Sequence, residues 1–314
     1  MLPDSVVDVV IPVYRPGRDD RLVRALTLLQ RQTVPAGHII LMNTEERLYT
    51  DWAERERIAE RFPGVTVRHV TAEQFDHAAT RTEGAACSEA AFLLFMTMDA
   101  VPADEELIGS LLETMRTHAD CAVAYARQLP AEGASEAERF TRSFNYPPQS
   151  SVKKRADEKR LGIKASFASN VCAMYRREIF EQLGGFAAPA IFNEDMVFAH
   201  AALHAGYAVC YCAEARVFHS HNYSAAAQFH RNFDLGVSQA MHPEVFAGVS
   251  SEKEGRRLVT GTVAHLRRHG AGRQIPAWLW GCVARYAGFL LGKHYRWLPR
   301  KLILQCTNQR SFWK

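Results

Sequence analysis

Four groups of side chains in this sequence carry residue types that chemistry needs. Asp99 ends the apolar run "FLLFMTMDAVPAD" at 92–104. A carboxylate there is a hard oxygen ligand of the kind Mg2+ or Mn2+ uses together with substrate phosphates; a turn former close to Pro102 is the competing reading. Glu194 and Asp195 open the segment "NEDMVFAHAALHAGY". One of them suits a general base that takes the proton of an attacking hydroxyl, although capping and the helix dipole favour acids at a helix start for structural reasons alone. His219 and His221 alternate with Ser220. On a strand both rings project to one face, where a single metal site can receive them, or they mark an exposed strand end. Asp76, His77 and Arg81 cluster in "FDHAATRTEGAA". A guanidinium fork there fits phosphate oxygens, and a solvated helix start fits the same residues.

Positioning such groups requires a rigid frame, and the first half of the chain alternates strand-like and helix-like segments. "SVVDVVIPVY" at 5–14 is continuously apolar, as a strand buried on both faces is, and in "DRLVRALTLLQRQ" at 20–32 Leu22, Val23, Leu26 and Leu29 have helical spacing. Further strands are expected at 38–42, 64–70, 91–96, 121–128 and 208–221, with helices around 50–62 and 76–90. The alternation predicts an α/β fold with a parallel, doubly wound sheet. Ligands of such sheets bind beyond the carboxyl ends of the strands, where Asp99 stands. No GxGxxG turn follows the first strand and no GxxxxGK[ST] occurs, which disfavours dinucleotide dehydrogenases and P-loop ATPases. Residues 130–164, rich in charge and turn formers, read as a long loop and a lid. "RREIFEQL" is a helix stopped by Gly184 and Gly185.

The 314 residues are 47% hydrophobic and 23% charged, which excludes disordered and collagen-like classes. The first ten residues lack a basic n-region, so no cleaved signal is predicted. No apolar stretch reaches the ~18 residues of a spanning helix. Seven cysteines without a CxxC pair read as reduced core thiols. The net charge of +4 conceals a division: residues 255–314 hold twelve of the 38 Lys/Arg and none of the 34 Asp/Glu. Two parts of opposite sign face different partners.

The ordered set "VVIPVYRPG", "FDHAATR", "FMTMDAVPAD", "LGGF", "NEDMVFAHAALHAGY" and "ARVFHSH", spread over residues 6–222, resembles the family 2 glycosyltransferases of GT-A fold, most of all the bacterial rhamnosyltransferases. The resemblance implies a Rossmann-like, nucleotide-diphospho-sugar transferase domain at 1–222, with a donor half at 1–128 and an acceptor half at 129–222. It places Pro12, Val13, Tyr14, Arg15, Asn43, Asp76, Arg81, Met98 and Asp99 on the nucleotide sugar. By the same resemblance Asp195, beside Glu194, is the catalytic base, and Asp99 and His219 hold Mg2+ or Mn2+. Thr97 stands where the family's DxD motif has its first acid, and "AATRT" and "TMDA" replace the rhamnosyltransferases' usual "GGTRN" and "TQDA".

The activity so implied is inverting transfer of L-rhamnose from dTDP-L-rhamnose to a polyprenyl-diphosphate-linked glycan. A UDP-sugar donor (galactose or N-acetylglucosamine) and a non-catalytic nucleotide-sugar-binding scaffold are the alternatives. The remaining 223–314 form a helical extension whose "IPAWLWGCVARYAGFLLGKHYRWLPRKLIL" mixes aromatic and basic residues. That composition predicts a helix lying in a membrane interface, on the cytoplasmic face of the cell membrane; a basic cap on the catalytic domain is the competing reading. A homo-oligomer remains open, and no nucleic-acid-binding motif is present.

Overall fold

The computed structural model describes residues 6–247 and 252–314. Residues 1–5 of the expected signal-free N-terminus lie outside the described residues. Nine strands form one sheet: β1 (Val7–Tyr14), β2 (Ile39–Thr44), β3 (Val65–Val70), β4 (Phe92–Met96), β5 (Val101–Pro102), β6 (Cys121–Leu129), β7 (Ser151–Lys153), β8 (Cys172–Arg176) and β9 (Ala208–Phe218). Their order is β3-β2-β1-β4-β8-β6-β9-β5, with β7 on β9.

The expected parallel sheet holds for β3, β2, β1 and β4 and again for β6 with β9, but it is interrupted between them. β8 runs antiparallel to both β4 and β6, so the sheet is mixed. The cause is the connection. β8 follows the long excursion after β6 instead of a single crossover helix, and only a crossover constrains the next strand to run parallel.

Alternate residues of β1 and β4 feed two cores, one on each face. Ile11 and Leu94 pack with Leu26 and Leu111 on one side. Val10, Leu93 and Phe95 pack with Tyr175, Phe180 and Phe198 on the other. Burial on both faces is why these strands read as unbroken apolar runs.

Three expectations need correction. The helix around 50–62 is two short ones, Thr50–Arg55 and Ile58–Arg61, because Arg57 between them is left-handed with φ 52°. The segment 130–164 is no loop: it folds into the helix Glu136–Asn145, capped by the Ser135 hydroxyl, then β7 and short helical turns. And β9 ends at Phe218, one residue before the first histidine, so His219 and His221 lie beyond the strand.

The C-terminal helices pack on the sheet-bearing part and on one another. Ile275–Lys293 lies against Ala225–Met241 with backbones in contact: a Cβ at Gly288 would collide with the Phe229 carbonyl, and one at Gly292 with the Phe233 carbonyl. The chain then turns back. Asp234 accepts from the Thr307 hydroxyl at 2.5 Å and the Asn308 N–H at 3.0 Å, and the Lys314 ammonium donates to the Glu73 carbonyl.

Candidate active site

A cleft of about 440 Å3 opens at the carboxyl ends of β1, β2 and β4. Pro12, Val13 and Tyr14 come from the end of β1, Thr44 from β2, and Thr97 and Met98 from just past β4; Phe75, His77 and Arg81 come from the start of the His77–Ala86 helix. The sequence-predicted Pro12, Val13, Tyr14, Arg81 and Met98 are therefore brought together. Among the described residues the buried Thr44 Oγ1 and Arg81 Nε have no hydrogen-bond partner, as expected of polar atoms that a ligand completes.

Three other predicted residues sit beside the cleft and not in its lining. Arg15 is exposed, left-handed at φ 53°, with its guanidinium 5.1 Å from the Tyr14 ring. Asn43 is fully buried on β2 and bonds His69 Nδ1 at 3.0 Å, while its neighbour Thr44 reaches the cleft. Asp76 spends its carboxylate on backbone: Oδ1 caps Ala78 and Ala79 at 2.9 Å, and Oδ2 accepts the Ala190 N–H at 2.7 Å. It thereby fixes the helix that presents His77 and Arg81.

The structure adds a wall that the sequence did not announce. Asn308, Gln309, Arg310 and Ser311 line the cleft from the C-terminal tail. Gln309 Nε2 lies 3.1 Å from His77 Nε2. No motif marks "TNQRSF", so no local signal distinguishes it.

Asp99 lies past β4 with His219 and His221 around it. His221 Nε2 is 3.1 Å and His219 Nε2 3.6 Å from the carboxylate. Arg21 approaches the same carboxylate at 3.5 Å. Burial alone would raise the Asp99 pKa; the His221 hydrogen bond and the two neighbouring imidazoles outweigh it and hold the carboxyl well below its usual range. Burial pushes His219 down to about 3, so its ring is neutral at neutral pH. Its Nδ1 is 3.0 Å from Gln128 Oε1 and its Nε2 is turned toward Asp99. An ionised carboxylate and imidazoles converging within one ligand shell are a fitting donor set for a divalent ion, with the second nitrogen anchored as metal-binding histidines require. His221 thus joins the predicted Asp99 and His219, and the His-x-His spacing was its signal.

Glu194 and Asp195 begin the helix Glu194–His204 behind left-handed Asn193 at φ 62°. Glu194 is buried and faces Arg81 NH1 at 3.3 Å and Asn170 Nδ2 at 3.0 Å. Burial opposes its ionisation, but the charges of Arg81 and His77 and the Asn170 bond overcome that and lower its pKa. Among the described residues Asp195 makes no ion pair, and Arg81 lowers its pKa only as the least of the causes at work. The Asn170 N–H at 2.9 Å and its own Met196 N–H at 2.8 Å are its donors. Burial first, and the Glu194 charge second, push it up to about 7, while part of its surface stays open. Two adjacent acids are thus driven apart, one fixed as an anion and one poised to exchange a proton. Ser169 and Asn170 tie the two centres: Gln128, partner of His219, donates to Ser169 Oγ at 3.0 Å, and Asn170 holds Asp195.

A model of glycosyl transferase family 2 matches residues 8–184. The O-antigen chain rhamnosyltransferase RfbN of Salmonella typhimurium is 34% identical over 98% of this chain and 96% of its own length. The O-antigen chain rhamnosyltransferase WbaN of Salmonella anatum is 33% identical over 97% and 94%. Among solved structures, mannosyltransferase PcManGT from Pyrobaculum calidifontis, in complex with GDP-Man and Mn2+, aligns with a TM-score of 0.57 at 15% identity, covering 98% of this chain and 84% of that one. S. aureus TarS 1-349 in complex with UDP aligns at 0.52 with 12% identity, covering 92% and 91%. These two share the GT-A fold with the present chain.

Proposed function

Because the chain belongs to glycosyl transferase family 2, we propose that it transfers L-rhamnose from dTDP-L-rhamnose to a hydroxyl of a polyprenyl-diphosphate-linked glycan in O-antigen synthesis. The sugar rests on the full-length likeness to two O-antigen chain rhamnosyltransferases. The transfer chemistry rests on one observation, the part-open Asp195 held by two backbone N–H groups beside Glu194, which faces Arg81 at 3.3 Å.

Asp195 accepts the acceptor's hydroxyl proton as that oxygen attacks the anomeric carbon. The new C–O bond forms on the face opposite the diphosphate, whose own bond breaks with its electron pair, so the anomeric centre inverts. Glu194 holds Arg81 at the cleft wall. Pro12, Val13 and Tyr14 flank the nucleoside, with Arg15 exposed beside Tyr14, Asn43 buried next to Thr44, and Asp76 fixing the helix that carries Arg81. Asp99, His219 and His221 hold Mg2+ or Mn2+, which when bound supplies neutralising charge at the diphosphate. Arg310, exposed on the tail wall, adds a further cation there. In this assignment residues 1–128 serve mainly the donor and 129–222 the acceptor, and 223–314 both complete the cleft and meet the membrane.

The donor is tested by nucleoside diphosphate release from dTDP-L-rhamnose and from UDP-sugars, with Mg2+, Mn2+ or EDTA, in the presence of a lipid-linked acceptor. Release from dTDP-L-rhamnose alone is expected. Turnover of a UDP-sugar would overturn the donor and leave the family untouched. Nucleotide binding without transfer would favour the non-catalytic scaffold.

For the acceptor's location, no helix among the described residues is long and apolar enough to cross a membrane. The helix Ile275–Lys293 nevertheless turns Trp280, Val283 and Tyr286 outward, 66%, 55% and 57% exposed, at helical spacing and among basic residues. Such a face lies in an anionic lipid interface, here at the cytoplasmic side. Wild type should float with vesicles containing anionic lipid, and Trp280→Ser with Tyr286→Ser should not. Equal flotation of the two would remove this role from the helix.

A further inference from the structure

The helix that begins with the catalytic pair carries a second set of chemically capable side chains at its far end. His200 and His204 lie one turn apart on Glu194–His204, with ring centroids 4.1 Å apart. Glu158, from the short helix Glu158–Leu161, reaches both: its Oε1 is 3.0 Å from His204 Nε2 and 3.8 Å from His200 Nδ1. None of the three has a part in the cleft or in the Asp99 cluster. We propose that Glu158, His200 and His204 form a divalent-metal site, suited to Zn2+, that staples the 158–164 segment to the helix bearing the catalytic base.

The geometry carries this assignment. Two histidines at i and i+4 on one helix face are a recurrent zinc-binding pair. Bonds of about 2.0–2.2 Å in a tetrahedron put ligand atoms about 3.3–3.6 Å apart, and the separations of 3.0 and 3.8 Å bracket that range. Two imidazoles with one carboxylate favour Zn2+ over Mg2+, which prefers an all-oxygen shell. The fourth position has a neighbour of the right sign, because Glu244 of the Pro243–Phe246 helix acts electrostatically on His200.

The consequence is mechanical. Met196 and Val197 of the base helix pack with Ile163 and Phe167 of the connecting segment and with Val245 and Phe246. Three elements therefore already meet at this point through apolar contacts, and a bound ion would cross-link two of them by coordination. A further cluster, Glu136 with His265 and His269, has the same composition but joins the Glu136–Asn145 and Glu252–Arg268 helices instead of the helix bearing the base. It serves as the control.

The test is Zn2+ competition against a chromophoric chelator with the full chain. Wild type is expected to hold Zn2+ at a site that His204→Ala and Glu158→Gln each weaken by at least the ~10–100-fold seen when even an outer-shell partner is lost. His269→Ala and Asp99→Asn should leave that site in place. His204 is exposed, so its substitution is compatible with folding, and Glu158→Gln gives an independent isosteric check. As a second reading, Zn2+ should slow proteolysis between residues 154 and 165 in wild type and not in His204→Ala. Unchanged Zn2+ affinity in both variants, loss only in Asp99→Asn or His269→Ala, or no wild-type binding below millimolar Zn2+ would each overturn the assignment.

Discussion

Two acidic centres face each other across the Ser169–Asn170 bridge, and they are built on opposite electrostatic plans. At the end of β4, Asp99 is enclosed by His219, His221 and Arg21, so its carboxyl ionises more readily than usual. At the head of Glu194–His204, Asp195 has a like charge beside it and only N–H donors for partners, so its carboxyl holds its proton up to about 7. The side chain is the same. What differs is the company, and with it the chemistry: a permanent anion is a ligand, whereas a carboxyl near neutrality can take a proton and later release it.

The sharpest way to break this comparison is to make the same isosteric change at both centres. Asp195→Asn is expected to reduce transfer by roughly 10²–10⁴-fold, the range a general base contributes, with donor affinity and metal requirement unaltered. Asp99→Asn should instead raise the Mg2+ or Mn2+ concentration for half-maximal rate by about 10–100-fold, with activity partly recovered at high metal. Steady-state rates measured against metal concentration separate the two. Identical profiles for both variants would mean that the centres do not have distinct roles.

The next effect is one of pH. Asp195 must be ionised to accept a proton, so kcat/KM should fall about tenfold per pH unit below about 7. Stability moves the other way. The native carboxyl titrates at about 7 and the unfolded one at the ordinary 3.8, so the native state binds the proton more tightly between these values. Its contribution to stability is full below 3.8, declines as pH rises, and is lost above about 7. Asp195→Asn, which cannot ionise, should therefore gain melting temperature over wild type at pH 8, and this advantage should shrink at pH 5. A wild-type rate flat from pH 5 to 8 would remove Asp195 as the group that titrates.

The contrast between the centres also explains what the sequence disclosed. β1 and β4 were legible because burial on both faces leaves a continuous apolar run, and Asp99 was legible as the acid that ends one. Glu194 and Asp195 were visible as a pair, but their division of labour was not, since it depends on Arg81, more than a hundred residues earlier in the chain. The direction of β8 escaped because hydrophobic pattern records burial and not strand polarity. The helix Glu136–Asn145 escaped because it is mostly polar and followed by "NYPPQSS", although Ala137, Phe140 and Phe144 have helical spacing. The tail wall was beyond reach for a different reason. Gln309 meets His77 across 232 residues of chain, and neither carries a pattern that names the other.

That tail gives the smallest expected effect and a fine test of the comparison. Arg310 lines the cleft but is exposed and belongs to neither acidic centre. A solvent-screened cation near a diphosphate is worth about 0–1 kcal/mol, so Arg310→Ala should raise KM for the donor only a few-fold. It should leave kcat and the pH limb in place, because it alters neither the proton acceptor nor the metal ligands. A large fall in kcat would mean that the tail orders one of the two centres, and the division of labour would then extend to three parts of the chain.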